Sequence, residues 1–108
     1  MSETHEVNHI NLSLPMEQIT ELCQKYGVKK LSVFGSVLRE DFHQDSDIDF
    51  LVIFENDDYG PWMSKLTNLA EELSQLLGRK VDLVPKEMLK WVIRDRVLAD
   101  AELIYENR

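Results

Sequence analysis

The residues of this sequence best suited to chemistry are three carboxylates and a Gly-Ser pair. Gly35-Ser36 ends the apolar run Leu31-Ser32-Val33-Phe34. After ten intervening residues Asp47-Ile48-Asp49 opens a second run, Phe50-Leu51-Val52-Ile53-Phe54, and Asp82 stands inside a third, Val81-Asp82-Leu83-Val84. Carboxylates two residues apart on a strand project from one face, about 6.5–7 Å apart. Such oxygens suit hard cations, above all Mg²⁺, which keeps substrate phosphates in its own shell. A third carboxylate on a neighbouring strand can complete a two-metal site. Gly35 has no Cβ to hold a phosphate away from the backbone. Ser36 offers the same phosphate a hydroxyl and a backbone N–H, most effectively where a helical turn begins. Taken singly, Gly-Ser pairs and D-x-D are common in turns and solvated loops. The ordered set in its strand context is the specific signal.

Competing uses of these groups fail on spacing. Asp45, Asp47 and Asp49 have the 1-3-5 spacing of an EF-hand, but Phe50 stands where the loop needs glycine and Asn56 where it needs glutamate. His5, His9 and His43 have no ligand spacing for zinc. The single cysteine, Cys23, falls on the apolar stripe of an expected helix and reads as core rather than nucleophile. Tyr59 and Tyr105 read as a loop residue and a core-packing residue rather than modification sites.

The elements that position the carboxylates follow from periodicity. Ile19, Leu22, Cys23 and Tyr26 recur on one helical face between Pro15 and Gly27. Strands are expected at about 30–34 and 47–54, separated by a polar crossing with room for a helical turn at 36–40. Along the second strand Ile48, Phe50, Val52 and Phe54 share an apolar face, so Asp47 and Asp49 must point away from the core. After the turn signal 56–61, Trp62, Leu66, Leu69, Ala70, Leu73, Leu76 and Leu77 predict a helix with a buried face, ended by Gly78. A third strand, 81–84, stops at Pro85. Its Asp82 is expected to have a cationic partner, since an unpaired buried charge is costly; Arg79, Lys80 and a metal are the candidates. A helix over about 86–99, using Leu89, Val92, Ile93, Arg96 and Val97, and a short strand at 102–105 complete the order α-β-β-α-β-α-β. The fold class is α/β (α+β), a small mixed sheet with helices packed against it. Residues 1–14 read as a flexible tail and 15–108 as the domain.

Composition narrows the function classes. The 108 residues suffice for one domain with one core, and 44% hydrophobic with 30% charged residues is a globular balance. Twelve basic residues against 20 acidic give a net charge of −8, which repels nucleic-acid phosphates; no direct nucleic-acid binding is expected. No apolar run reaches the ~20 residues of a membrane span, and Met1 to Leu12 lacks the basic start and apolar stretch of a secretory signal. With one cysteine and no disulfide, a cytoplasmic location is expected.

The blocks Val33-Phe34-Gly35-Ser36, Ser46-Asp47-Ile48-Asp49-Phe50-Leu51-Val52 and Val81-Asp82-Leu83-Val84 resemble the minimal nucleotidyltransferases, small members of the polymerase-β-like superfamily. The motif of that family is G-S-x10-D-x-D after an apolar strand, with a later carboxylate on another strand. The resemblance runs from about Pro15 to Tyr105. It implies a polymerase-β-like fold, metal binding by Asp47, Asp49 and Asp82, with Asp82 also a general base, and β/γ-phosphate contacts from Gly35 and Ser36. Arg39 matches a basic residue three positions after the serine, a further phosphate contact. Glu40 departs from the pattern, where many members have glycine. Very short chains of this kind resemble antitoxins whose partner is a HEPN-type ribonuclease toxin. That resemblance implies Mg²⁺-dependent transfer of AMP from ATP to a toxin tyrosine. The alternatives are an antitoxin that neutralises by binding alone, and a nucleotidyltransferase acting on another protein or a small molecule.

Overall fold

A computed structural model describes residues 5–6, 13–35, 46–89 and 91–107. Strand β1 (His5–Glu6) pairs antiparallel with β2 (Ser13–Leu14). Residues 1–14 were expected to be a tail, yet Leu14 is fully buried in the core. Helix α1 (Met16–Tyr26) buries Ile19 and Cys23, and Gly27 ends it with φ 70° and ψ 38°. In this left-handed turn the Gly27 amide reaches the carbonyls of the last helical turn. Strand β3 (Val28–Phe34) starts two residues before the expected position. The crossing that contains Ser36, Arg39 and the expected helical turn at 36–40 lies outside the described residues.

Strand β4 (Ile48–Phe54) shows the expected alternation except at Leu51, which is buried although it lies on the face of Asp49 and Ile53. Ile48, Phe50 and Val52 are fully buried and Phe54 nearly so, while Asp49 and Ile53 on the other face are half-buried. Helix α2 (Ser64–Leu77) buries Leu69 and Leu73. Trp62 corrects the expectation that it belongs to this apolar face: it is 99% exposed. Pro61–Met63 is a 3-10 turn in which Trp62 and Met63 have φ of 55° and 59°, so the α-helix starts only at Ser64. The preceding residues hold that turn in place. Asp58 accepts from the Gly60 amide at 3.0 Å and from the Lys65 ammonium at 2.9 Å. Tyr59 sits edge-on to Phe54 with ring centroids 5.6 Å apart, and its hydroxyl donates to Glu87, so it is packed rather than loop-exposed.

Strand β5 (Val81–Pro85) leads into a 3-10 turn, Lys86–Met88, and then helix α3 (Trp91–Asp100). The single helix expected over 86–99 is therefore divided. Leu89 is extended and 93% buried, and that inward turn interrupts the helical path. Strand β6 (Glu102–Glu106) closes the sheet, where Tyr105 packs half-buried against the core as expected.

The sheet order is β5-β4-β3-β6, with β4 and β5 parallel and the other pairs antiparallel. One face buries Leu31, Val33, Phe50 and Val52 with Ile19, Cys23, Leu69 and Leu73 of the helices. On the other face Ser32, Leu51, Ile53 and Leu103 line a groove with Leu98 and Ala101 at the end of α3. Burial pushes the Cys23 thiol up to about 12, so it stays protonated at neutral pH and acts as packing. No helix among the described residues is long and apolar enough to cross a membrane.

The two helices on the core face are joined by a surface cluster. The Lys25 ammonium lies 3.1 Å from Glu72, and the Tyr26 hydroxyl donates to the same carboxylate. The Tyr26 hydroxyl first, then Lys25, hold the Glu72 carboxyl below its ordinary 4.5. A lowered folded-state pKa gives stability that is present above the unfolded value and lost as pH falls through the folded one. Glu72→Gln should therefore be less stable than the wild type at pH 7, with the gap closing below about pH 4.5. Thermal unfolding of both proteins between pH 7 and 3 measures this; a gap that persists at pH 3 contradicts it.

Candidate active site

Chain direction brings the chemical residues to one end of the sheet. Strand β3 runs antiparallel to β4, so its last residues lie beside the first of β4: Phe34 pairs with Asp49, and Gly35 follows. Strand β5 runs parallel to β4, so the two strands start side by side, with Ile48 opposite Val81 and Asp49 opposite Asp82. Residues in register on neighbouring strands are about 4.8 Å apart and project to the same face. Asp49 and Asp82 therefore stand together on the face opposite the helical core, Asp82 exposed and Asp49 half-buried. Asp47 lies one residue before β4, also half-buried.

Gly35 fits closely against this pair. Its φ is 78°, and a Cβ added there would sit 2.4 Å from Asp49 Oδ2 and 3.3 Å from Cγ. A side chain at this position must displace the Asp49 carboxylate. The reason for glycine is thus sharper than the open approach to a phosphate expected from sequence. The left-handed backbone favours glycine, and its missing Cβ leaves the Asp49 carboxylate where it stands.

The turn between α2 and β5 supplies contacts that sequence reasoning assigned elsewhere. Arg79 and Lys80 were candidate partners for Asp82. Instead Lys80 Nζ lies 3.9 Å from Asp47 Oδ2, and Arg79 Nη1 donates to the Ser46 carbonyl at 3.2 Å. The backbone amide of Ile48 donates to the Lys80 carbonyl at 3.0 Å. The signal was available in principle: pairing Ile48 with Val81 sets residue 80 beside residue 47, but that register is a tertiary fact.

All three carboxylates offer hard oxygen donors, the type Mg²⁺ takes. Asp49 and Asp82 are adjacent by register, while Asp47 Oδ2 lies 3.9 Å from Lys80 Nζ. Among the described residues no three His, Cys, Asp or Glu side chains converge closely enough to hold an ion in this arrangement. Ser36 and Arg39, the other expected phosphate contacts, lie outside the described residues.

The Gly35 contact yields a direct test. Gly35→Ala should lose about 1–2 kcal/mol of stability from its left-handed backbone. It should also lose about a hundredfold in nucleotidyl transfer, since an ångström-scale displacement of a reacting group can cost that much. Transfer rates measured well below the melting temperature separate the two effects; an active Gly35→Ala enzyme contradicts the Asp49 contact as a functional constraint.

Comparison with known proteins agrees with the geometry. The family model of polymerase-β nucleotidyltransferases matches residues 17–108. The protein adenylyltransferase MntA of Thermococcus cleftensis is 44% identical over 85 residues, 79% of this chain and 81% of that protein. A solved structure assigned to the minimal nucleotidyltransferases is 36% identical with a TM-score of 0.65, covering 80% of this chain and 85% of that one. Two more distant structures share the fold. A toxin–antitoxin complex with AMP-PNP is 24% identical with a TM-score of 0.69, over 88% of this chain and 76% of that one. A tri-AMPylated HEPN toxin of Shewanella oneidensis in complex with its MNT antitoxin gives 22% and 0.62, over 85% and 70%. With the sheet order, the paired carboxylates and these likenesses together, the chain belongs to the polymerase-β nucleotidyltransferase family and has its fold.

Proposed function

We propose that this nucleotidyltransferase is the antitoxin of a toxin–antitoxin pair. In this reading it transfers AMP from ATP to a tyrosine hydroxyl of a HEPN-type ribonuclease toxin, in the cytoplasm. The observation that carries the reading is the in-register pairing of Asp49 with Asp82, closed on its third side by Gly35. Support for the protein acceptor comes from the 44% identity to an enzyme named as a protein adenylyltransferase.

The residues divide the work as follows. Asp47, Asp49 and Asp82 would hold Mg²⁺, two ions in the full site, whose chemistry is to neutralise the phosphate oxygens and the departing pyrophosphate. Gly35 keeps the space beside Asp49 clear. Ser36 binds the β/γ-phosphates, and Arg39 adds a cation to them. The tyrosine oxygen attacks the α-phosphorus in line and forms the new P–O bond as the bond to the β-phosphate bridging oxygen breaks. Asp82, the exposed member of the set, accepts the phenolic proton. The gain comes from positioning and charge placement rather than covalent chemistry on the protein.

Purified protein, Mg²⁺, α-labelled ATP and the HEPN-type partner provide the assay. Label should appear on the partner and fall at least about a hundredfold in Asp49→Asn and in Asp82→Asn. Protection of the partner without label, unchanged by either substitution, would mean neutralisation by binding alone and overturn the reading. Efficient labelling of a small molecule with no protein acceptor would overturn its choice of substrate.

A further inference from the structure

We infer that Lys80 is a built-in counter-cation for Asp47, competing with the divalent cation for that carboxylate and so setting the metal affinity of the site. The inference rests on the carboxylate-metal reading above and adds a residue to it. Parallel register brings residue 80 beside residue 47, and the backbone there is held from both sides. Ile48 donates to the Lys80 carbonyl at 3.0 Å, and half-buried Arg79 donates to the Ser46 carbonyl at 3.2 Å. Val81 N–H donates to Ser74 Oγ at 3.1 Å, tying the same turn to α2, which Gly78 ends in a left-handed conformation.

The Lys80 side chain behaves differently from its backbone. Its Nζ lies 3.9 Å from Asp47 Oδ2 with 71% of the side chain exposed, so the pair is attractive yet open to exchange. Exposed ion pairs of this kind are weak. An ammonium is a compact charge on a flexible stem and can swing into water when a stronger cation arrives. The arrangement serves a site crowded with negative charge. Asp47, Asp49 and Asp82 repel one another, and a tethered ammonium offsets part of that repulsion. The cost falls on metal binding, which must displace it.

The test is Mn²⁺ binding to the 108-residue protein without nucleotide, followed by electron paramagnetic resonance or calorimetry. Lys80→Met and Lys80→Gln should bind Mn²⁺ roughly two- to fivefold tighter than the wild type, the range an exposed pair is worth. Lys80→Arg, which keeps the charge, should bind as the wild type does. Thermal unfolding in EDTA checks that each variant is folded. Wild-type protein that binds no Mn²⁺ without nucleotide overturns this inference, and Mn²⁺ bound equally well by Asp49→Asn overturns the metal reading with it. Wild-type binding weakened by Asp49→Asn, with both charge-removing variants unchanged or weaker, overturns the Lys80 assignment alone.

Discussion

Adjacent strands of like charge repel, yet the pairing of β4 with β5 sets Asp49 directly beside Asp82. At about 5 Å two unit charges cost roughly 1 kcal/mol in water and about 3 kcal/mol near a protein surface. Cross-strand like pairs are correspondingly unfavourable. What outweighs the repulsion lies on the other face of the same strand. Ile48, Phe50, Val52 and Phe54 are all buried there, and each contributes on the order of 1.5–3 kcal/mol. Even allowing for a compact unfolded chain, the core term is several times the repulsion. Slipping β4 by one residue to part the carboxylates would expose that whole set, so the register and the charged pair stand or fall together.

The same alternation explains why a short domain can hold a reactive site without spending core on it. Helices α1 and α2 cover one face of the sheet, while the other carries the carboxylates at its end and a groove shared with the end of α3. Gly35 and the Arg79–Lys80 turn flank them from β3 and from the α2–β5 connection. Each flank acts on a different acid. Gly35 leaves room for the Asp49 carboxylate, while Lys80 Nζ lies 3.9 Å from Asp47 Oδ2. The set is thus asymmetric, with Asp82 exposed to solvent and Asp47 and Asp49 half-buried.

Much of this was legible in the residues. From α1 onward the order of helices and strands, the inward face of β4 and the helix stops at Gly27 and Gly78 followed from period and turn chemistry, all local quantities. Trp62 and Leu89 were misplaced because their positions depend on distant partners. Trp62 is turned out by a left-handed pair of residues after the Asp58 and Tyr59 contacts, and Leu89 is drawn into the core between two helical segments. In the site, the D-x-D phase could be read along one strand. The opposition of Asp49 to Asp82, and of residue 47 to residue 80, required knowing that β5 lies parallel to β4 in one register. That a side chain at Gly35 would meet the Asp49 carboxylate required knowing how β3 ends.

The central claim is that strand register gathers Asp49 and Asp82 into one cation site beside Gly35. A crystal of the protein grown with Mn²⁺ and a non-hydrolysable ATP analogue tests it through the anomalous signal of the metal. The account predicts a manganese peak within about 2.0–2.3 Å of carboxylate oxygens from both Asp49 and Asp82, shared with the triphosphate. Manganese bound to the triphosphate away from these two carboxylates, or held elsewhere on the acidic surface, would contradict it.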